Sequence, residues 1–117
     1  MSARTSGGVV LSTMDSVPGY AIEEVLGVVS AEWVGGVNVF RDMFAGIRNI
    51  VGGRSAALEK EMKAGREAVL EELRQRGAEL GADAVVTIRL DSSPMSGGSG
   101  AMLMLGGIGT AVRLRRA

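Results

Sequence analysis

The stretch Arg54–Leu80, RSAALEKEMKAGREAVLEELRQRGAEL, holds the longest helical pattern in the chain and decides the fold class. Leu58, Met62, Gly65, Val69, Leu73 and Leu80 fall on one stripe at helical spacing. Glu59, Lys60, Lys63, Arg66, Glu67, Glu71, Arg74 and Gln75 cover the rest. Glu59–Lys63 and Glu72–Arg76 are spaced i,i+4 with the acid first, the better order against the helix dipole, each pair contributing about 0.2–0.5 kcal/mol. Ser55 reads as the N-cap and Gly81 as the stop. Gly65 and Gly77 each cost about 1 kcal/mol against alanine, which points to close packing of the helix or a weak last turn.

Upstream, Phe40, Met43, Phe44, Ile47, Ile50 and Val51 also fall at helical spacing, so a short helix is expected before Gly52-Gly53. Between the two lies NIVGGRS, Asn49–Ser55. Arg48, Gly52, Gly53, Arg54 and Ser55 would suit an anion at a helix N-terminus, where free N–H groups and the dipole favour negative charge. No GxxxxGK[ST] or GxGxxG accompanies them, and paired glycines ordinarily serve turns, so the backbone reads as a hinge between helices and the anion role is left to Arg48 and Arg54.

The flanks read as strands. Val9–Thr13 and the β-branched run Ile22–Trp33 are joined by a Pro-Gly turn and are expected to form a hairpin, with Gly27 marking a bulge. Downstream, Ala84, Val86, Ile88 and Leu90 alternate with polar residues. Ser92–Gly100, SSPMSGGSG, reads as a flexible loop. Ala101–Leu105 and Ile108–Arg115 are expected to be two strands separated by a turn or bulge at Gly106-Gly107. The expected fold is α+β: a two-layer subunit, with about five short strands in an antiparallel or mixed sheet, one long helix and one short one, in the order β-β-α-α-β-β-β. Residues 1–8 are expected to form a disordered, frayed tail and 9–117 a single domain.

Composition narrows the chemistry. The 117 residues hold 46% apolar but only 3% aromatic side chains, and 13 basic residues balance 13 acidic ones. Neither nucleic acid nor a membrane is an expected partner, since Ala101–Val112 is far short of the roughly 20 apolar residues a span requires. There is no cysteine and no histidine, so thiolate, imidazole and the usual zinc sets are all lacking. No nucleophile–base pair is visible, and no enzyme is expected. No secretory signal opens the chain, and a cytoplasmic protein is expected. Carboxylates such as Asp42 and the thioethers of Met95, Met102 and Met104 remain as metal donors, with Met102 and Met104 on one face of a strand. The alternative role for these methionines is gap filling in a core or an interface. No cofactor is expected.

The run from Asn38 to Asp91, with the motifs FRDxFAGIRNIVGGRS and GADAVV, closely resembles the YbjQ-like family of small bacterial proteins. The later run GAMLMLGGIGTAVRLRR, with its GTAV, resembles that family's closing hairpin, so the likeness extends from about Tyr20 to Arg116. The resemblance implies a two-layer subunit with a long helix, assembled into homo-oligomeric rings, typically pentamers. Phe40, Phe44 and Ile47 would then lie at or near subunit contacts. The family carries the label "putative heavy-metal-binding domain" and is otherwise uncharacterised. The expected function is therefore a non-enzymatic, ring-forming homo-oligomer. The alternative is a module binding a small ligand, anion or metal at Gly52–Ser55 or between subunits.

Overall fold

The computed structural model describes residues 8–35, 51–97 and 100–117, with side chains described for 8–35, 59–94 and 102–117. The elements are β1 (Val10–Leu11), β2 (Tyr20–Gly35), α1 (Val51–Glu79), β3 (Ala84–Gly97) and β4 (Gly100–Arg116). They form an α+β architecture in which one helix covers one face of a mixed four-stranded sheet ordered β1-β3-β4-β2. The expected short helix, with Phe40, Asp42, Phe44, Ile47 and Arg48, falls outside the described residues.

Four expectations are corrected. The first two strands form no hairpin. Instead β1 pairs in parallel with β3 and β2 pairs antiparallel with β4, so the two lie on opposite edges of the sheet. Ser92–Gly97 is not a loop but the second half of β3, in register with β4 from Ser92↔Leu105 to Gly97↔Gly100. Gly106-Gly107 makes no turn, because β4 runs unbroken through both, giving four strands where five were expected. Gly52-Gly53 does not end a helix, and Ser55 is no N-cap, because α1 is already helical from Val51.

The helix ends where the pattern predicts. Gly81 has φ 81°, its N–H donates to the Ala78 carbonyl at 3.0 Å, and Ala82 N–H reaches the Gly77 carbonyl at 2.9 Å. This pair of bonds is a Schellman motif, which satisfies carbonyls that helix termination would leave bare. Leu80, assigned to the apolar stripe, is exposed, and Gly77 takes the buried place on it.

Close helix–sheet approach explains the glycines in mid-element. A Cβ on Gly65 would lie 2.5 Å from Leu105 Cδ1 and from Trp33 Cε3. One on Gly107 would lie 2.5 Å from Val69 Cγ1 and 2.9 Å from Leu90 Cδ2. Carbon atoms pack at about 3.5–4.0 Å, so the layers can close only because those side chains are missing. The resulting core comprises Val9, Val29, Ala31, Val69, Leu73, Ala82, Val85, Ile88, Leu105 and Ala111, edged by Trp33 and Leu103.

A second, smaller core lies on the other face of the sheet, where Ala84, Val86, Val112 and Leu114 are covered by Val17 and Tyr20. Ala84 and Val86 therefore do not share a face with Ile88 and Leu90. A bulge between Val86 and Arg89 shifts the alternation, and Thr87 sits in it with φ 54°. The N-terminal segment secures the bulge: Thr87 N–H donates to the Met14 carbonyl at 2.8 Å and Ile88 N–H to the Ser12 carbonyl at 3.1 Å. Gly27 does mark an irregularity, with the β2–β4 register slipping between Val25 and Gly27.

Candidate functional site

The residues expected to hold an anion are not gathered into a turn. Gly52, Gly53, Arg54 and Ser55 lie on consecutive helical positions of α1, and Arg48 falls outside the described residues. The side chains of Arg54 and Ser55 are likewise outside those described.

Two other places merit attention as sites. The first is a cavity of about 110 Å³ between α1 and the sheet, lined by Met62, Arg66, Val69, Leu90, Asp91, Ser92, Leu105 and Gly106. Arg66 and Ser92 are exposed at its rim, while Val69 and Leu105 are buried. It offers apolar packing space with no buried ionisable group in its wall.

The second is the part of the sheet's outer face that Val17 and Tyr20 leave uncovered. Leu103 and Leu105 pack against the helix-side core, so strand alternation sends Met102 and Met104 to the outer face. Both are half-buried there. Met104 is the register partner of Val34 on one side and Ser93 on the other. In the next row Gly106 lies between Glu32 and Asp91, and in the row after that Ile108 lies between Ser30 and Arg89. Val28, Val34 and Ile108 are 69, 48 and 46% exposed on this face, so it presents apolar side chains interleaved with a few charges.

Asp83 is buried, although carboxylates ordinarily stay in solvent. Its Oδ2 accepts a hydrogen bond of 2.9 Å from the Leu114 backbone N–H, its own N–H donates to the Val112 carbonyl, and its carbonyl accepts from Val10. It ties β1, β3 and the end of β4 together, a structural task. The available signal was its position as the lone charge in the apolar run Gly81–Ile88. At the same end of the molecule Arg113 Nη1 is 3.5 Å from Glu24 Oε1, and Arg113 Nη2 lies near Gly81 at the C-terminus of α1, where a cation is favoured. The exposed face of α1 carries the pairs Glu71–Arg74 at 3.3 Å and Glu72–Arg76 at 2.8 Å. Arg113 is thus engaged within the fold rather than free at the C-terminal end of β4.

No group of three or more His, Cys, Asp or Glu that could hold a metal ion occurs among the described residues. No described helix is long and apolar enough to cross a membrane. Among the described residues these features define a class: an α+β domain with a long helix on a sheet built around an antiparallel hairpin, with β1 and β2 at its two edges.

The chain belongs to the YbjQ-like family, whose model, described as "Putative heavy-metal-binding", matches residues 9–115. Among solved structures, the chain is similar to a protein of unknown function of the DUF74 family from Pediococcus pentosaceus ATCC 25745. The likeness has a TM-score of 0.56 at 11% identity, covering 92% of this chain and 98% of that one, and it shows the shared fold. A heavy-metal role can be tested against the donor set. Without Cys or His, the nitrogen and thiolate ligands of zinc-type centres are lacking throughout the chain. The thioethers of Met102 and Met104 fit only the softest ions.

Proposed function

We propose that the protein is a non-enzymatic, cytoplasmic homo-oligomer that assembles edge to edge into a ring. The observation that carries this reading is a sheet with two bare edges. Among the described residues nothing pairs with the outer edge of β2, a strand of 16 residues. Nothing described pairs with the outer edge of β3 beyond Ile88 either. Long unpaired edges are templates for pairing with another chain, and proteins that stay monomeric usually blunt them. β2 carries charges and an irregularity at Glu23, Glu24 and Gly27, but it also bears exposed Ile22, Val25, Val28 and Val34, apolar side chains that another copy would cover.

The two edges differ, so pairing the β2 edge of one copy with the β3 edge of the next is a heterologous contact, and such contacts close into rings when the rotation permits. A pentamer is the ring size the family resemblance favours. Cytoplasmic placement accords with a chain that uses no cysteine. The test is the solution mass by light scattering, expected at several times the 12.1 kDa of one chain. The double variant V25E/V28E is expected to reduce it to one chain while leaving the circular dichroism spectrum intact. A wild-type monomer at micromolar concentration refutes the reading.

A further inference from the structure

The cavity between α1 and the sheet has a cause in the sequence of β3. The helix-facing row of that strand runs Ile88, Leu90, Ser92. Ile88 belongs to the core, and Leu90 Cδ2 would stand 2.9 Å from a Cβ on Gly107. Ser92, opposite Leu105, takes the next place in the row with a hydroxymethyl group where a branched side chain would fill the gap. The space left, about 110 Å³, is walled by Met62, Val69, Leu90 and Leu105. Asp91 borders it, but strand alternation sends its carboxylate to the opposite face. Two polar side chains stand at the mouth, Ser92 and Arg66. Arg66 is set apart from the later arginines of α1. Arg74 and Arg76 pair with Glu71 and Glu72 one turn back, whereas Arg66 has Met62, Lys63, Val69 and Leu70 at the positions three and four away. Among the described residues it makes no ion pair.

An apolar cavity of about 150 Å³ stays dry and accepts a molecule the size of benzene, so one of about 110 Å³ suits a body of about four or five carbons. The guanidinium at its mouth is a planar fork that matches a carboxylate, and the Ser92 hydroxyl can donate to the same group. The Asp91 charge on the far side of the strand disfavours a dianion. We propose that this cavity is a binding site for a short aliphatic monocarboxylate, its chain against Met62, Val69, Leu90 and Leu105 and its carboxylate on Arg66 and Ser92. A neutral chain leaves Arg66 unpaired, and an anion without a chain leaves the apolar walls bare. Only an amphipathic anion answers both. The site is built within one chain and does not rest on the ring.

The experiment uses the full chain labelled at its methionine methyl groups and titrated with sodium hexanoate. The Met62 methyl resonance, assigned from M62L, is expected to shift and to saturate at one hexanoate per chain. Met14, which is 55% exposed, and Met102 and Met104, half-buried on the opposite face, serve as internal controls and are expected to stay in place. From acetate to octanoate, affinity is expected to rise about fourfold per methylene as far as hexanoate and to level off once the cavity is full. Hexanol is expected to bind about five- to tenfold more weakly than hexanoate, and R66Q to lose the same factor for hexanoate while leaving hexanol unchanged. That loss is expected to shrink as ionic strength rises. S92L, which fills the void, is expected to abolish the Met62 shift with the circular dichroism spectrum unchanged. No saturable shift at Met62, an equal shift at Met14, an affinity independent of chain length, or hexanol bound as tightly as hexanoate overturns the proposal. Should S92L fold poorly, the wild-type chain-length series decides alone. Light scattering on the same samples separates the outcome from that of the ring.

Discussion

Gly106 and Gly107 are neighbours in β4, yet their environments are opposite, and replacing each by alanine separates close packing from strand propensity. On the helix side, a Cβ at Gly107 would lie 2.5 Å from Val69 Cγ1, 2.9 Å from Leu90 Cδ2 and 3.2 Å from Leu73 Cδ1. Val69 and Leu73 are 1 and 0% exposed, so they have no free space to move into. Inserting a methyl into such packing costs about 1–3 kcal/mol. Against this stands the gain from replacing glycine inside a strand, about 0.5–1 kcal/mol. G107A is therefore expected to lose up to about 2.5 kcal/mol. At Gly106 only the gain applies, because a Cβ there meets no atom nearer than 4.0 Å. G106A is expected to be stabilised by about 0.5–1 kcal/mol. The propensity term is common to both, so their difference reports the overpacking alone, about 1–3 kcal/mol. The assay is urea unfolding at one fixed protein concentration, followed by the fluorescence of the lone Trp33 and by circular dichroism. With a slope of about 2 kcal/mol per molar urea, the midpoints separate by roughly 0.5–1.5 M. Equal midpoints, or a larger loss in G106A, would falsify the account of Gly107 as the seat of helix–sheet contact.

Two further outcomes follow from single residues. D83A strips the acceptor from the Leu114 N–H in a buried setting and is expected to lose about 1.5–3 kcal/mol in the same urea assay, with D83N keeping part of it; unchanged stability in D83A would show that the bond contributes nothing. T87G relieves a β-branched residue held at φ 54°, which costs about 1–2 kcal/mol, but adds the entropy of a glycine, so a net gain of about 0.5–1 kcal/mol is expected in thermal or urea unfolding. A loss of stability in T87G would mean that the Thr87 side chain contributes more than its backbone strain costs.

Several elements were legible because their causes are local. The helix from Ser55 to its stop shows in the 3.6-residue period and in Gly81, whose Schellman bonds involve only residues 77–82. The Glu72–Arg76 pair follows from spacing alone and forms at 2.8 Å. Gly27 signalled a bulge that the register confirms. The long helix and the alternating flanks sufficed for the α+β class.

The candidate site was less legible. Arg48 through Ser55 drew attention as an anion turn because paired glycines ordinarily break helices, yet Gly52-Gly53 is helical. Met102 and Met104 were recognisable as sharing a strand face, since period two is a property of any strand. Their neighbours Glu32 and Asp91 were not, because these two stand 59 residues apart in sequence, on different strands, and meet only through the register with β4.

By itself, then, the sequence determined the elements that depend on short-range periodicity, the helix stop, and a donor set restricted to carboxylates and thioethers. Tertiary structure decided what depends on partners distant in the chain. SSPMSG is poor in strand-forming residues and becomes strand because β4 accepts its backbone hydrogen bonds across the whole hairpin. β1 and β2 are joined by a turn that would allow a hairpin, but each finds a longer or better-covered partner on the far side of the sheet. Gly65 and Gly107 read as weak points along the chain, and become its closest contacts only when a helix and a strand more than 30 residues apart are pressed together.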